Sequence, residues 1–469
     1  MLTDFFILMK QELVITVIIF ILLLLKIGTD MSNESFINLT NGLLLLNLVA
    51  GFVGSQSGTL FDGMFLTNPL IVLEKNILSL GTLIVSLQSA DWLKRHDHVS
   101  EFYILLLCTL LGMFFMISAG NLLMFYVGLE LSSIPMAAMA NFDLAKKKSS
   151  EAAMKFIISS AFASGLLLFG ISLVYGATGT LSFSELSLQI TGAPLQIFAF
   201  VLLLAGFAFK ISVVPFHLWT ADVYEGAPVA VTSWLSVISK GSVLFVFVAV
   251  LNSVFRSLTD TWYNMLFVLS VLTILIGNLF AIRQNNFKRF LAFSSIAQIG
   301  FILVGITGSP NYAITSVVYF VLVYVFSNLA AFGVVALVSA VTGREQVSDY
   351  KGFYKTNPVL SWVLTIALFS LAGVPPTAGF FGKFFLLLSG AGKGNYVLIV
   401  IAALNMIISF YYYLRIVKAI FMDANEQPIE KLSIPAYPRL AMIICVAGII
   451  VTGLAGYLYD YIYALTYRL

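Results

Sequence analysis

Charge is what this sequence has least of. Only 10% of its 469 residues are Asp, Glu, Lys or Arg, whereas soluble domains run near 25%. Lys and Arg (25) barely outnumber Asp and Glu (22), so no basic footprint for nucleic acid is present. Cysteine is just as scarce. Cys108 and Cys445 each sit in an apolar run, without the paired spacing of a metal site, and read as core residues. The segment SGAGKGN at 389–395 lacks the spacing and the Ser/Thr of a phosphate loop. No dinucleotide fingerprint, haem attachment or iron–sulfur spacing occurs, so redox chemistry by this chain alone is not expected. What is plentiful is apolar: 60% of the residues are hydrophobic and the mean hydropathy is +1.00. The class that remains is an all-α polytopic membrane protein.

Fourteen apolar stretches are long enough to span a bilayer. They lie at about 13–29, 37–54, 69–90, 101–119, 121–141, 152–175, 195–216, 229–254, 262–282, 290–307, 312–341, 358–388, 394–418 and 436–463. The first follows Lys10 and Glu12 without a small-residue cleavage site, so it reads as a retained helix rather than a signal peptide. Loop charge supports the count. Of the 25 Lys and Arg, 15 fall in loops after odd-numbered helices, against four (Lys10, Arg256, Lys393, Arg468) in even-numbered loops and the termini. Positive loops mark the cytoplasmic side, which puts both termini outside. A miscounted helix would scramble that asymmetry.

The remaining six, Lys75, Lys155, Lys210, Lys240, Lys383 and Arg415, fall inside the apolar stretches. A lysine in hydrocarbon costs roughly 2.5–3.5 kcal/mol on insertion scales and is read as functional by default. Lys210 is followed five residues later by Pro215, then by His217 and a polar elbow of Asp222, Tyr224 and Glu225. Proline has no N–H and clashes with the carbonyl four residues back, at Ile211, so helix seven is expected to break there. Helix twelve, at 358–388, would measure roughly 46 Å at 1.5 Å per residue, too long for one span. Its LAGVPPTAGFFGKF segment carries Pro375, Pro376, Gly379 and Gly382 ahead of Lys383, and a second break is expected. Two broken helices five apart point to two inverted five-helix repeats, helices 4–8 and 9–13. The corresponding divisions are 1–100, 101–254, 262–421 and 436–469.

Glu130 in helix five precedes Pro135 by five residues, as Lys210 precedes Pro215. A carboxylate there needs a partner, and Lys210 is the natural one. Separating such a pair alters the charge each can hold, which makes the lysine a plausible proton relay with Lys240 and Lys383 beyond it. Lys155, four residues past Glu151, reads either as a relay member or as a snorkelling side chain. His217 reads either as an intermediate or as a helix cap. Lys75 and Arg415, near helix ends, read as anchors.

At these residues the chain resembles the antiporter-like subunits of proton-pumping NADH–quinone oxidoreductase, respiratory complex I. The resemblance runs from about 60 to 420, strongest in GLELSSIP, FKISVVPFHLWTADVYEGAP, QNNFKRFLAFSSIAQIG and SLAGVPPTAGFFGKF. The DVYEGAP elbow, ASGLLLFGISLVYGATGT and Lys383 look like the N-type subunit; the M type usually has a glutamate at the last position. The resemblance implies a proton path of Glu130, Lys155, Lys210, Lys240 and Lys383 in a bacterial inner membrane. It also implies that NADH, FMN, iron–sulfur clusters and quinone belong to the other membrane-arm and peripheral subunits. Two positions depart from the family pattern: Ala221 where a proline is usual, and Asn121 where an aspartate is common. The alternative is an Mrp-type cation/proton antiporter subunit without redox coupling.

Overall fold

A computed structural model describes residues 2–28, 30–54, 56–394 and 396–466; Asn395 and Arg468, named above, lie outside these. Thirteen of the described helices are long and apolar enough to cross a membrane. A fourteenth span is made of two shorter helices, Pro358–Ala372 and Ala378–Ala391. In chain order the spans are Lys10–Gly28, Asn33–Phe52, Pro69–Lys94, Val99–Ile117, Leu122–Ala140, Lys147–Thr178, Pro194–Ile211, Val229–Ser253, Arg256–Arg283, Phe287–Ile306, Pro310–Thr342, the broken pair, Tyr396–Phe421 and Ala436–Leu454. They are called helices one to fourteen below.

The architecture carries the two repeats. Helices six and eleven, each third in its set of five, are the long ones, with 32 and 33 residues. Each ends on a glycine in the left-handed region, Gly179 and Gly343, as helix C-termini commonly do. The fourth member of each set is the broken one. Helix seven stops at Ile211 and resumes as Leu218–Gly226; helix twelve stops at Ala372 and resumes at Ala378. Five is an odd number of crossings, so the two sets have opposite orientations.

The chain packs as two compact units. One comprises Met1–Leu83, Leu93–Ile211 and Ile238–Asn264; the other comprises Ile84–Trp92, Ser212–Val237 and Met265–Leu469. In the first, helices four and five touch backbone to backbone. A Cβ on Gly112 would sit 2.5 Å from the Ser132 nitrogen, and one on Gly128 would sit 2.6 Å from that of Met116. Small residues that let helix axes approach are the usual way to pack helices in lipid, and this contact fixes the part of helix five that carries Glu130. In the second unit, helices ten and eleven are almost wholly buried, which accounts for their being apolar on nearly every side.

Four features depart from the sequence expectations. A two-stranded hairpin, β1 (Gly58–Leu60) and β2 (Phe65–Thr67), links helices two and three; strands of three residues are too short to leave a periodic signal. Helix eight contains a π-helical turn at Leu235–Ser239, directly before Lys240. Helix fourteen ends at Leu454 and a separate helix, Tyr457–Thr466, follows. Lys75 is no interfacial anchor. It is 1% exposed and paired with Glu12.

Candidate functional site

Lys210 lies one residue before the end of the first half of helix seven. Its Nζ donates to Ser133 Oγ on helix five at 2.6 Å and to Ser160 Oγ on helix six at 2.8 Å. One ammonium therefore joins three helices of the same unit. Glu130 lies one turn before Ser133 on helix five, so the two share a face. Its carboxylate is within coulombic reach of Lys210, and its Oε1 is buried with no hydrogen-bond partner. The expected pair is thus brought together electrostatically, while the lysine's hydrogen bonds go to the two hydroxyls. Those serines stand in the GLELSSIP and FIISSAF segments. Adjacent serines in otherwise apolar helices were the available signal.

The break that follows is lined with hydroxyls. Ser212 adopts a left-handed conformation, with φ of 67°, which a non-glycine residue avoids unless its surroundings hold it. Here Thr220 Oγ1 donates to Ser212 Oγ at 2.6 Å, and the Val214 N–H donates to Thr273 Oγ1 at 3.1 Å. The polar groups released by Pro215 are met inside the protein, as the bilayer requires. His217 is buried beside the start of the second half, and its carbonyl accepts the Thr220 N–H at 3.0 Å.

Lys383 has the corresponding place in the second unit. The first half of helix twelve ends on Gly373, with φ of 87°, and leaves carbonyls open at its negative end. Lys383 Nζ donates to two of them, Leu371 O at 2.8 Å and Ala372 O at 3.2 Å. It also lies 4.9 Å from the Phe301 ring centroid, a distance at which a cation is attracted to the ring face. Gln298 Nε2 donates to the same Leu371 carbonyl at 2.9 Å and to Tyr413 Oη at 3.3 Å, and Tyr413 is bonded to Ser294. A cavity of about 10 Å³ beside Lys383 is lined by Gln298, Tyr324, Ser327 and Ser370 among others, about the room one water needs. Neither Gln298 nor Tyr413 carries a formal charge; from the sequence Tyr413 reads only as part of the packing run Phe410–Tyr413.

Lys240 is 1% exposed and opens the last segment of helix eight, directly after the π-turn. Such turns often occur at functional positions. Lys155 differs from the others. It is exposed on helix six and pairs with Glu151 at 2.8 Å. Arg415, half-buried, donates to the Ile282 carbonyl at 2.7 Å and so closes the end of helix nine. Among the described residues no group of three or more His, Cys, Asp or Glu side chains is gathered as a metal site.

The acidic elbow has a cationic partner that sequence reasoning counted only as a loop charge. Arg289, in the first turn of helix ten, bonds Asp222 at 2.7 Å and Glu225 at 3.2 Å. Its neighbour Lys288 bonds Glu345 at 3.1 Å. Burial alone would raise the Glu345 carboxyl, but Lys288 and hydrogen bonds from Ser339 and Asn286 hold it below its ordinary value. The second half of helix seven is therefore fastened to helix ten through charge. Arg289→Ala is expected to raise amide exchange across Leu218–Gly226 about fivefold, equivalent to about 1 kcal/mol for a partly exposed ion pair. Exchange at the wild-type rate would remove Arg289 from that role.

Comparison with known proteins identifies the family and the fold. The family model described as NADH:quinone oxidoreductase/Mrp antiporter, TM, matches residues 119–409. NADH-quinone oxidoreductase subunit N of Phocaeicola vulgatus is 46% identical over 96% of this chain and 97% of its own length. In respiratory complex I from Thermus thermophilus, a chain 28% identical superposes with a TM-score of 0.80, covering 95% of this chain and 97% of that one. A chain of the Mrp complex from Dietzia sp. shares the fold, with a TM-score of 0.85 at 20% identity over 97% of this chain and 96% of that one.

Proposed function

We propose that this chain, which belongs to the NADH-quinone oxidoreductase subunit N family, translocates protons through buried charges as quinone is reduced in other subunits of its complex. The relay consists of Glu130, Lys155, Lys210, His217, Lys240 and Lys383. The observation that carries it is the seating of Lys210 and Lys383. Each is a lysine beside a helix break, held by hydroxyl or carbonyl oxygens rather than locked in a hydrogen-bonded ion pair. A buried lysine shifts its proton affinity readily, and a broken helix supplies polar groups that can rearrange around it.

In this reading a conformational signal from the redox subunits changes the distance between Glu130 and Lys210, and Lys210 releases or regains its proton accordingly. Lys240 and Lys383 continue the series. Lys155, exposed on the single chain, is a charge that lipid would not tolerate and that a neighbouring subunit would cover. NADH, FMN, iron–sulfur clusters and quinone are assigned to those partners. The Lys- and Arg-rich loops lie on the cytoplasmic side of a bacterial inner membrane, and both termini lie outside.

The test is to tag the chain, extract it in mild detergent and identify what accompanies it. Recovery with flavin- and iron–sulfur-containing subunits, and with NADH–quinone activity, is expected. Recovery only with small antiporter subunits, without NADH oxidation, would replace this reading by cation/proton exchange.

A further inference from the structure

The first unit contains a second set of buried charges that the relay does not use. Glu12 on helix one and Lys75 on helix three are each 1% exposed and bonded at 2.5 Å. Glu74, the preceding residue on helix three, is buried as well. Beside them Gln11 Nε2 donates to Asn76 Oδ1 at 2.8 Å. Helix two meets that amide pair with bare backbone at Gly51, where a Cβ would fall 1.9 Å from Asn76 Oδ1. Phe65 of the hairpin and Phe114 of helix four close over the ammonium, their centroids 5.2 Å and 5.8 Å from Lys75 Nζ.

Two observations indicate that this is more than a structural clasp. Counting charge, Glu12 and Lys75 neutralise each other, and Glu74 adds a second negative group. An uncompensated buried charge is among the most unfavourable features a fold can hold. Independently, Glu12 Oε2 is buried with no hydrogen-bond partner, so a carboxylate oxygen stands open inside the protein.

The surrounding charges do not remove the imbalance. Lys10 is within coulombic reach of Lys75, but it is half-exposed and its Nζ is bonded to the carbonyls of Gly54, at 2.7 Å, and Val53. Glu34 and Glu101, on helices two and four, pair with Lys94 at 2.9 Å and Lys26 at 3.4 Å, at the opposite ends of helices three and one. Asp62 in the hairpin turn and Asp4, in the short helix Leu2–Leu8 ahead of helix one, are exposed.

We propose that Glu12, Glu74 and Lys75 form a proton-binding site in which one of the two buried carboxyl groups carries a single exchangeable proton while the other balances the Lys75 ammonium. The step is a protonation: one carboxylate oxygen accepts a proton delivered from water and releases it again, with no other bond made or broken. The site lies in helices one and three and uses none of the relay residues, so its failure and that of the relay are separable.

The test is infrared spectroscopy of the purified complex in ordinary and heavy water. The wild type is expected to show a protonated-carboxyl band, worth one group per chain, that shifts in heavy water. Glu74→Gln leaves the Glu12–Lys75 pair balanced, so the band is lost whichever carboxyl held the proton. Lys75→Met removes the counter-ion, and about a twofold band is expected. Glu74→Gln keeps the Glu12–Lys75 bond and is the variant that decides if Lys75→Met does not assemble. A carboxyl spectrum unchanged by Glu74→Gln in an assembled complex would overturn the proposal. So would a band insensitive to heavy water.

Discussion

Lys210→Ala is expected to reduce proton pumping by on the order of tenfold or more, in a complex that still assembles and oxidises NADH. General acid–base groups contribute roughly 10²–10⁴-fold to the steps they serve, so a loss of about tenfold is a conservative floor for an obligatory relay group. Assembly survives for a local reason. Ser133 Oγ keeps its bond to the Leu129 carbonyl at 2.6 Å when the ammonium is gone, and the glycine contact between helices four and five is untouched. The sharper variant is Lys210→Arg. Arginine keeps the positive charge facing Glu130 but cannot deprotonate in a protein. If Lys210 is only a counter-ion, the arginine enzyme pumps; if it must give up its proton, the arginine enzyme fails as the alanine enzyme does. Vesicles carrying the reconstituted complex, assayed for acidification against NADH oxidation, separate these outcomes. Normal pumping by an assembled Lys210→Ala complex would defeat the assignment.

The breaks were the most legible part of this molecule, and the partners of the charges were the least. Pro215 blocks its own helix by removing a donor and crowding a carbonyl four residues back, a local effect that any sequence displays. Helix seven accordingly ends at Ile211. Helix twelve declared itself by length as well as by Pro375 and Pro376. What holds Lys210 is a matter of which helices meet, and single serines in apolar runs carry no period that would reveal it. Lys75 shows the same limit from the other side. Position near a helix end suggested an anchor, but position along a helix does not say what covers it. The hairpin does that, placing Phe65 against the lysine, and its three-residue strands are invisible to patterns of period two. Arg289 was legible only as a loop charge because its acidic partners lie 67 and 64 residues away. Lys155 is the opposite case: it stands four residues past Glu151, a spacing at which side chains on a helix meet, and the two pair at 2.8 Å.

Lys383→Met is expected to abolish most pumping while costing little in assembly, and the reason lies in how the lysine is held. Its two bonds go to carbonyls at the open end of a helix half. Methionine matches the length of the stem and removes only the charge. The Leu371 carbonyl retains Gln298 Nε2 as a donor at 2.9 Å, so the Ala372 carbonyl alone loses its partner. One orphaned buried acceptor costs roughly 1–3 kcal/mol, and the small cavity beside Lys383 has room for about one water that would lessen it. Destabilisation should therefore be modest. The proton route, in contrast, loses the only cation seated against Leu371 and Ala372 among the described residues, and no neighbouring side chain supplies a replacement: Gln298, Ser327 and Ser370 are polar but carry no charge. Pumping and thermal stability of the purified complex measured together decide the point. A stable complex that stops pumping supports Lys383 as a relay group. A complex that pumps normally makes the lysine a cap for helix twelve and nothing more.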